Sequence, residues 1–272
     1  MCTQRSRERP PSPVEWRDLL PVTRRQRWVE LTLPLPWLAL SWGLYASPLW
    51  PLGSVASFMF FLCALRLNHE AIHGNLGLAR RWDIALLHLL SAAMAGSNCS
   101  VAWSHMQHHR HAMGPGDLEG HCGHMSAPQV LCYGPRLPFD LIRACWHQGG
   151  GKWRQRMLRD AGCLAMMVAL TLWSEMLFLW LHLAAMLVAQ CLTAFFAVWI
   201  THQGTAHSGL AARSQRGLLA RAAYLMFYHR EHHLFPKVPV SRLPDLAARL
   251  DMQVPGYAAS RSPVVPWLDR KT

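Results

Sequence analysis

The sequence predicts an all-α integral membrane protein: four transmembrane helices in two hairpins, with a cytoplasmic helical cap that holds a histidine-rich di-metal site. Three observations predict it. Two long stretches are almost free of charge, the basic residues are confined to the segments around them, and eight of the 16 histidines fall into three tight boxes.

Leu31 to Leu67 contains one charged residue, Arg66, and Ala161 to Ile200 contains only Glu175. Each stretch is about 40 residues, whereas one crossing of a hydrocarbon core needs about 20. Each therefore reads as a hairpin, with spans at about 31–47, 51–67, 161–179 and 183–200. Pro48 and Pro51 place the first turn near Ser47 to Leu52, and the second is expected near Trp180 to His182. Glu175 then lies inside a span, where a carboxylate is costly and faces the bundle interior. Ile84 to Gly96 is apolar but too short to cross, and is expected as a re-entrant or interfacial helix.

Seven Lys/Arg precede residue 31, nine lie between 68 and 160, and ten follow residue 200, while the two expected turns have none. The positive-inside rule then puts both termini and the central segment in the cytoplasm, with a bacterial inner membrane as the expected location. The formal charge of +12 on a chain that is 51% hydrophobic fits this arrangement better than a soluble domain. Residues 1–30 read as a basic cytoplasmic segment whose first 13 positions are disordered, 31–252 as the membrane-embedded domain, and 253–272 as an irregular cytoplasmic tail. No signal peptide is expected, because the first apolar run begins only around Trp28.

The boxes are His69/His73, His105/His108/His109 and His229/His232/His233. Chance would place His-x-x-His-His about 0.05 times along such a chain, yet it occurs twice. Residues three and four apart share one face of a helix, so each box presents its imidazoles together. Crowding rings that way gains nothing for packing and risks like-charge repulsion, whereas neutral imidazole is a common metal ligand. Eight converging rings exceed what one ion uses, which points to two ions; the spacing alone leaves zinc, copper and iron open.

The remaining histidines read differently. His88, His147 and His182 stand alone and are expected to be structural, and His121-Cys122-Gly123-His124 reads as a Gly-rich loop. The eight cysteines form no C-x-x-C pair, so no disulfide is expected in a reducing compartment. His69-Glu70-Ala71-Ile72-His73 also matches the H-E-x-x-H signature of a zinc metalloprotease, with Glu70 as base. That alternative leaves the other two boxes without a role.

Asn68 to Gly74 (NHEAIHG), Trp103 to His111 (WSHMQHHRH) and Tyr228 to Pro236 (YHREHHLFP) resemble the three histidine boxes of the membrane fatty acid desaturase and hydroxylase superfamily. The resemblance implies a non-haem di-iron centre, with O2 as co-substrate, that removes hydrogen from an unactivated C–H bond. Its implied ligands are His69, His73, His105, His108, His109, His229, His232 and His233. One further histidine usually lies between the last span and the third box; His202 is the best match and His207 the second. His111 extends the second box as a near-site residue. Carboxylates commonly hold the outer N–H of metal-bound imidazoles, and Glu70, Asp83, Asp117, Glu119 and Glu231 are the local candidates. Asn68 and Asn98 are candidates for holding a water.

The implied reaction is desaturation of a fatty acyl chain carried on a lipid or thioester. The alternative is a hydroxylase or ketolase of a lipid or carotenoid, which His69 to Gly74, His108 to His111 and Pro115-Gly116-Asp117 also resemble. An ion carrier is disfavoured, because the apolar stretches hold almost no polar residues. The chain shows no flavin, nucleotide or haem-attachment motif, so an external ferredoxin or cytochrome is the expected electron donor. The substrate is expected to arrive from the bilayer through an apolar tunnel.

Overall fold

The computed structural model describes residues 8–11, 14–111, 113–114, 116–205, 209–221 and 224–264. Of the stretch expected to be disordered, residues 1–7 and 12–13 lie outside this description, as do residues 265–272 of the tail. In chain order the helices are α1 (Arg24–Thr32), α2 (Leu35–Tyr45), α3 (Trp50–His73), α4 (Arg80–Ala93), α5 (Asn98–His111), α6 (Leu118–Cys122), α7 (Ala127–Tyr133) and α8 (Leu137–Gln148). They continue with α9 (Gly150–Ser174), α10 (Leu177–Thr193), α11 (Ile200–His202), α12 (Leu218–Arg221), α13 (His229–Leu234) and α14 (Leu243–Gln253). Strand structure among the described residues is one short parallel pair, Gln215–Arg216 with Ser262–Pro263. The chain forms two compact units, Val22–Met106 with Leu131–Thr193, and Met1–Pro21 with Gln107–Val130 and Ala194–Thr272.

Three helical runs are long and apolar enough to cross a membrane: α3, α9 and the continuous run Leu177–His202. α4 and α5 pass the same test as a pair bent by 118°, a broken span or re-entrant loop. This differs from four straight crossings. Leu33 and Pro34 interrupt the expected first span, leaving α2 with 11 residues, or about 16 Å at 1.5 Å per residue, against a hydrocarbon core of about 30 Å. The second turn also falls earlier than expected. Glu175 takes φ 54° and ends α9, so it is an exposed turn residue and not a buried mid-span charge. A carboxylate at a turn keeps its hydration, which a mid-span position would remove.

In the first unit the core follows the helical repeat. Phe60, Phe61, Ala64, Leu67, Ala71 and Ile72 of α3 pack with Leu87, Leu90 and Met94 and with Met186 and Ala189 of α10. α3 starts at Trp50 with Pro51 in its first turn, where a missing N–H costs nothing. It stops at Gly74, whose φ of 67° suits a residue without Cβ. Arg66, one of the few charges in the apolar stretches, is buried in an ion pair with Glu30 of α1.

The bend between α4 and α5 is held by side chains from α9 and α10 and by Ser97 in the bend itself. At the end of α4 the carbonyl of Ala93 accepts from His182 Nε2 (2.9 Å), and that of Met94 accepts from Gln190 Nε2 (2.9 Å). At the start of α5, Ser97 Oγ accepts from the Ser100 amide (3.3 Å) and Asp160 of α9 accepts from the Cys99 amide (2.9 Å). These are the backbone groups a helix leaves unpaired at its ends, and water is scarce in an apolar interior. His182 thus has a structural role through Nε2, as its isolation in the sequence suggests.

The second unit has little regular structure but a dense core, including Leu234, Val238, Val240, Leu243, Leu246 and Leu250. The run that begins as α10 widens to a π-helix over Ala194–Trp199 before α11. A π turn inserts a residue and rotates the side chains beyond it, and such turns concentrate at functional sites. Here it immediately precedes His202.

Candidate metal centre

Four imidazoles of the second unit converge through their Nε2 atoms. His108 Nε2 lies 3.0 Å from His202 Nε2 and 3.2 Å from His233 Nε2. His233 Nε2 is 3.3 Å from His202 Nε2 and 3.2 Å from His229 Nε2. The four offer ligand atoms that all lie within 4.8 Å of one another. With metal–nitrogen bonds of about 2.0–2.1 Å, neighbouring nitrogens on a single ion stand about 2.9–3.4 Å apart, so the spacing fits.

The outer nitrogens say which tautomers are present. His202 Nδ1 donates to the Val198 carbonyl at 3.1 Å, one helical turn back. His108 Nδ1 lies 2.7 Å from Asp117 Oδ2. With the protons on Nδ1, both Nε2 atoms carry lone pairs and face each other without a hydrogen between them. Opposed lone pairs at 3.0 Å repel, and a cation between them removes the conflict. This arrangement fits a histidine-bound metal.

Asp117 is built to hold that orientation. It starts α6, accepts from the amides of Gly120 (2.8 Å) and Met113 (2.9 Å), and keeps one oxygen on His108. Burial works against its charge, but the His108 hydrogen bond and the two amides outweigh it and bring the carboxyl down to about 2. Burial, then the rings of His109, His229, His108 and His202, hold His233 well below its ordinary value, so it is a neutral ligand-ready imidazole.

His109 and His232 form a further pair in this unit, Nε2 to Nε2 at 2.9 Å. In the first unit His69, His73 and His105 form the other group. Their ring centroids are 4.6–5.1 Å apart, and His73 Nε2 lies 3.0 Å from His105 Nε2. α3 supplies His69 and His73 from one face, and α5 supplies His105, with His108 and His109 one turn further along the same helix.

The other expected residues fall out unevenly. Asn68 is buried beside His69, and neither atom of its amide has a hydrogen-bond partner among the described residues, which suits a role in holding a water. Glu70 is fully buried, 3.8 Å from His69 Nδ1. Asp83 is buried in the first turn of α4, with Arg80 3.7 Å away. Asn98 donates to Met94 Sδ and to Ser91 Oγ through its backbone, and Glu119 is buried. Glu231 accepts from Ser214 Oγ (2.6 Å) and Arg261 Nη2 (3.2 Å), contacts that anchor α13 to the chain around it. Burial raises the Glu231 carboxyl while Ser214 and Arg261 pull against that. His111 is exposed, and His207 lies outside the described residues.

His121 and His124 are exposed, and burial pushes the Cys122 thiol up to about 12, so this run stays a protonated thiol between solvated rings. His88 is not the isolated histidine its sequence context suggests: it meets Cys99 and Asp160. No local pattern announces this, since the three stand 11 to 72 residues apart.

An apolar cavity of about 690 Å³ is lined by Tyr45, Trp50, Met176, Leu177, Phe178 and Leu181. It sits at the turn end of α3, about 28 Å along the helix from His69, and is therefore not the expected tunnel to the metal.

Three helical runs long and apolar enough to cross a membrane thus occur with buried histidine groups that could hold metal ions. Residues 46–264 match the fatty acid desaturase family, and the chain belongs to it. No curated protein and no solved structure matches it.

Proposed function

We propose that the protein is an O2-dependent desaturase of fatty acyl chains carried on a lipid or thioester, working through a histidine-held di-iron centre. The observation that carries this is the meeting of His108, His202, His229 and His233 through Nε2, with the protons of His108 and His202 directed outward. Two redox-active irons would supply activation of O2 and removal of hydrogen from an unreactive methylene, chemistry that zinc, with one valence, does not offer.

The chain's own residues supply the rest. His69, His73 and His105 form one set of ligands, and His108, His202, His229 and His233 the other, with His109 and His232 completing the nine. Asp117 fixes the His108 tautomer and Val198 fixes that of His202. Seven of these nine rings are buried and His109 and His233 are half-buried, which would limit the access of water to bound metals. Both termini and the histidines lie on the cytoplasmic side in this reading, and electrons come from a separate ferredoxin or cytochrome. If the basic surface steers that donor, turnover at subsaturating donor falls steeply with added salt; salt-independent turnover removes the steering idea.

Metal analysis with Mössbauer spectroscopy on iron-57 material, followed by mass analysis of lipid products, tests the proposal. Two coupled irons per chain and a product lacking two hydrogens support it. A product with one added oxygen makes the enzyme a hydroxylase or ketolase. One zinc per chain, with no iron taken up anaerobically, revives hydrolysis through His69, Glu70 and His73.

A further inference from the structure

At the bend between α4 and α5, three side chains of different chemistry meet away from the histidine groups. His88 comes from α4, Cys99 from the first turn of α5 and Asp160 from α9. Their ligand atoms lie within 4.8 Å of one another. His88 Nδ1 is 2.5 Å from Asp160 Oδ1 and 3.8 Å from Cys99 Sγ. Cys99 and Asp160 are buried, and the His88 side chain is 13% exposed.

We propose that His88, Cys99 and Asp160 form a separate binding site for a borderline-soft divalent cation of the Zn2+ type, which ties α4, α5 and α9 together just ahead of the second histidine box. The donor set is a thiol, an imidazole and a carboxylate, each an established zinc ligand, and three protein ligands leave a fourth position for water. Charge balance favours occupation. A thiolate, a carboxylate and a neutral imidazole carry two negative charges, so a divalent ion gives a neutral cluster in a low-dielectric interior, where net charge is costly.

The support around the ligands is also present. Asp160 Oδ2 accepts from Ser97 Oγ (2.8 Å) and the Cys99 amide (2.9 Å), which orients the carboxylate and leaves Oδ1 for the cation. Binding is an exchange and involves no redox change. The Cys99 S–H bond breaks, sulfur keeps the electron pair and bonds the metal, and the proton leaves to solvent. The His88 proton resides on Nε2 in the bound state. The His88–Asp160 contact opens slightly to admit the ion, since two ligands of one ion stand about 2.9 Å or more apart.

The test uses full-length, detergent-purified protein stripped by chelator and titrated with Co2+, the spectroscopic stand-in for Zn2+. A thiolate-to-cobalt charge-transfer band in the near ultraviolet requires sulfur, so the histidine groups cannot produce it whatever metal they take. The expected result is a band whose saturated amplitude corresponds to one thiolate-bound Co2+ per chain, is abolished by Zn2+ competition, is absent in Cys99→Ser and persists in Cys122→Ser and Cys145→Ser. In His88→Gln the Co2+ affinity of the band falls at least tenfold, a second readout should Cys99→Ser fail to fold. No band in the wild-type protein, or a band that survives Cys99→Ser, overturns the proposal and leaves the cluster as a hydrogen-bonded latch.

Discussion

His108 shows how much a single residue depends on its neighbours. Its spacing marks it as a member of a box, but only the Asp117 contact fixes which nitrogen is free to bind. Asp117→Asn keeps the size and loses the charge, so metal affinity is expected to fall about 10–100-fold, read by competition with a chelator. The same carboxylate gives a pH signature. Its folded pKa of about 2 lies below the ordinary 3.8, so its stabilising contribution is complete above 3.8 and disappears as pH falls through about 2. The shift is worth about 2 kcal/mol. Acid unfolding of wild type should show this loss and Asp117→Asn should not; equal acid dependence in both would remove the argument. Asp117 was legible as a candidate because it lies close to the box in sequence. Glu231 was equally close, yet it bonds to Ser214 and Arg261, since which way a short helix turns its carboxylate is decided by what packs on it.

At the level of elements, the α4–α5 bend is the feature that the hydropathy pattern marks only as a short apolar run. Four carbonyl or amide groups at the break are satisfied by His182, Gln190, Ser97 and Asp160. His182→Leu therefore leaves the half-buried Ala93 carbonyl without its imidazole partner, an expected cost of about 1–3 kcal/mol, measured as a lower unfolding midpoint in detergent. An unchanged midpoint would mean that water replaces the imidazole. Close packing gives a second prediction. A Cβ on Gly134 would run into the Cys191 carbonyl, so Gly134→Ala is expected to destabilise by about 1–3 kcal/mol, again read from the unfolding midpoint. The end of α9 departs from the sequence expectation for a related reason. Apolar residues continue on both sides of Glu175, so composition hides a turn that the left-handed backbone at that residue makes plain.

For the whole molecule, metal and fold are expected to be linked. The four converging rings come from α5, α11 and α13, stretches up to 125 residues apart, so one ion would close long loops in the second unit. A ligand that binds only the folded state stabilises it by about 2.7 kcal/mol at a concentration one hundred times its Kd. Chelation should thus lower the unfolding midpoint, metal should restore it, and both responses should be smaller in His108→Ala, which weakens one metal group and leaves the others. A midpoint indifferent to chelator in the wild-type protein would separate the histidines from stability altogether.

The sequence alone determined the helical class, the apolar stretches and the three boxes, because these rest on local periodicity and on residue spacing within a turn or two; the likeness of the boxes to a known family pointed to that family and to His202. The tertiary structure decided the rest. It grouped the Nε2 atoms, set the His108 and His202 tautomers, broke the first expected span, moved the second turn to Glu175 and brought His88, Cys99 and Asp160 together. Those outcomes depend on contacts between residues tens of positions apart, and periodicity carries no information about which distant side chain will satisfy a buried nitrogen, carbonyl or carboxylate.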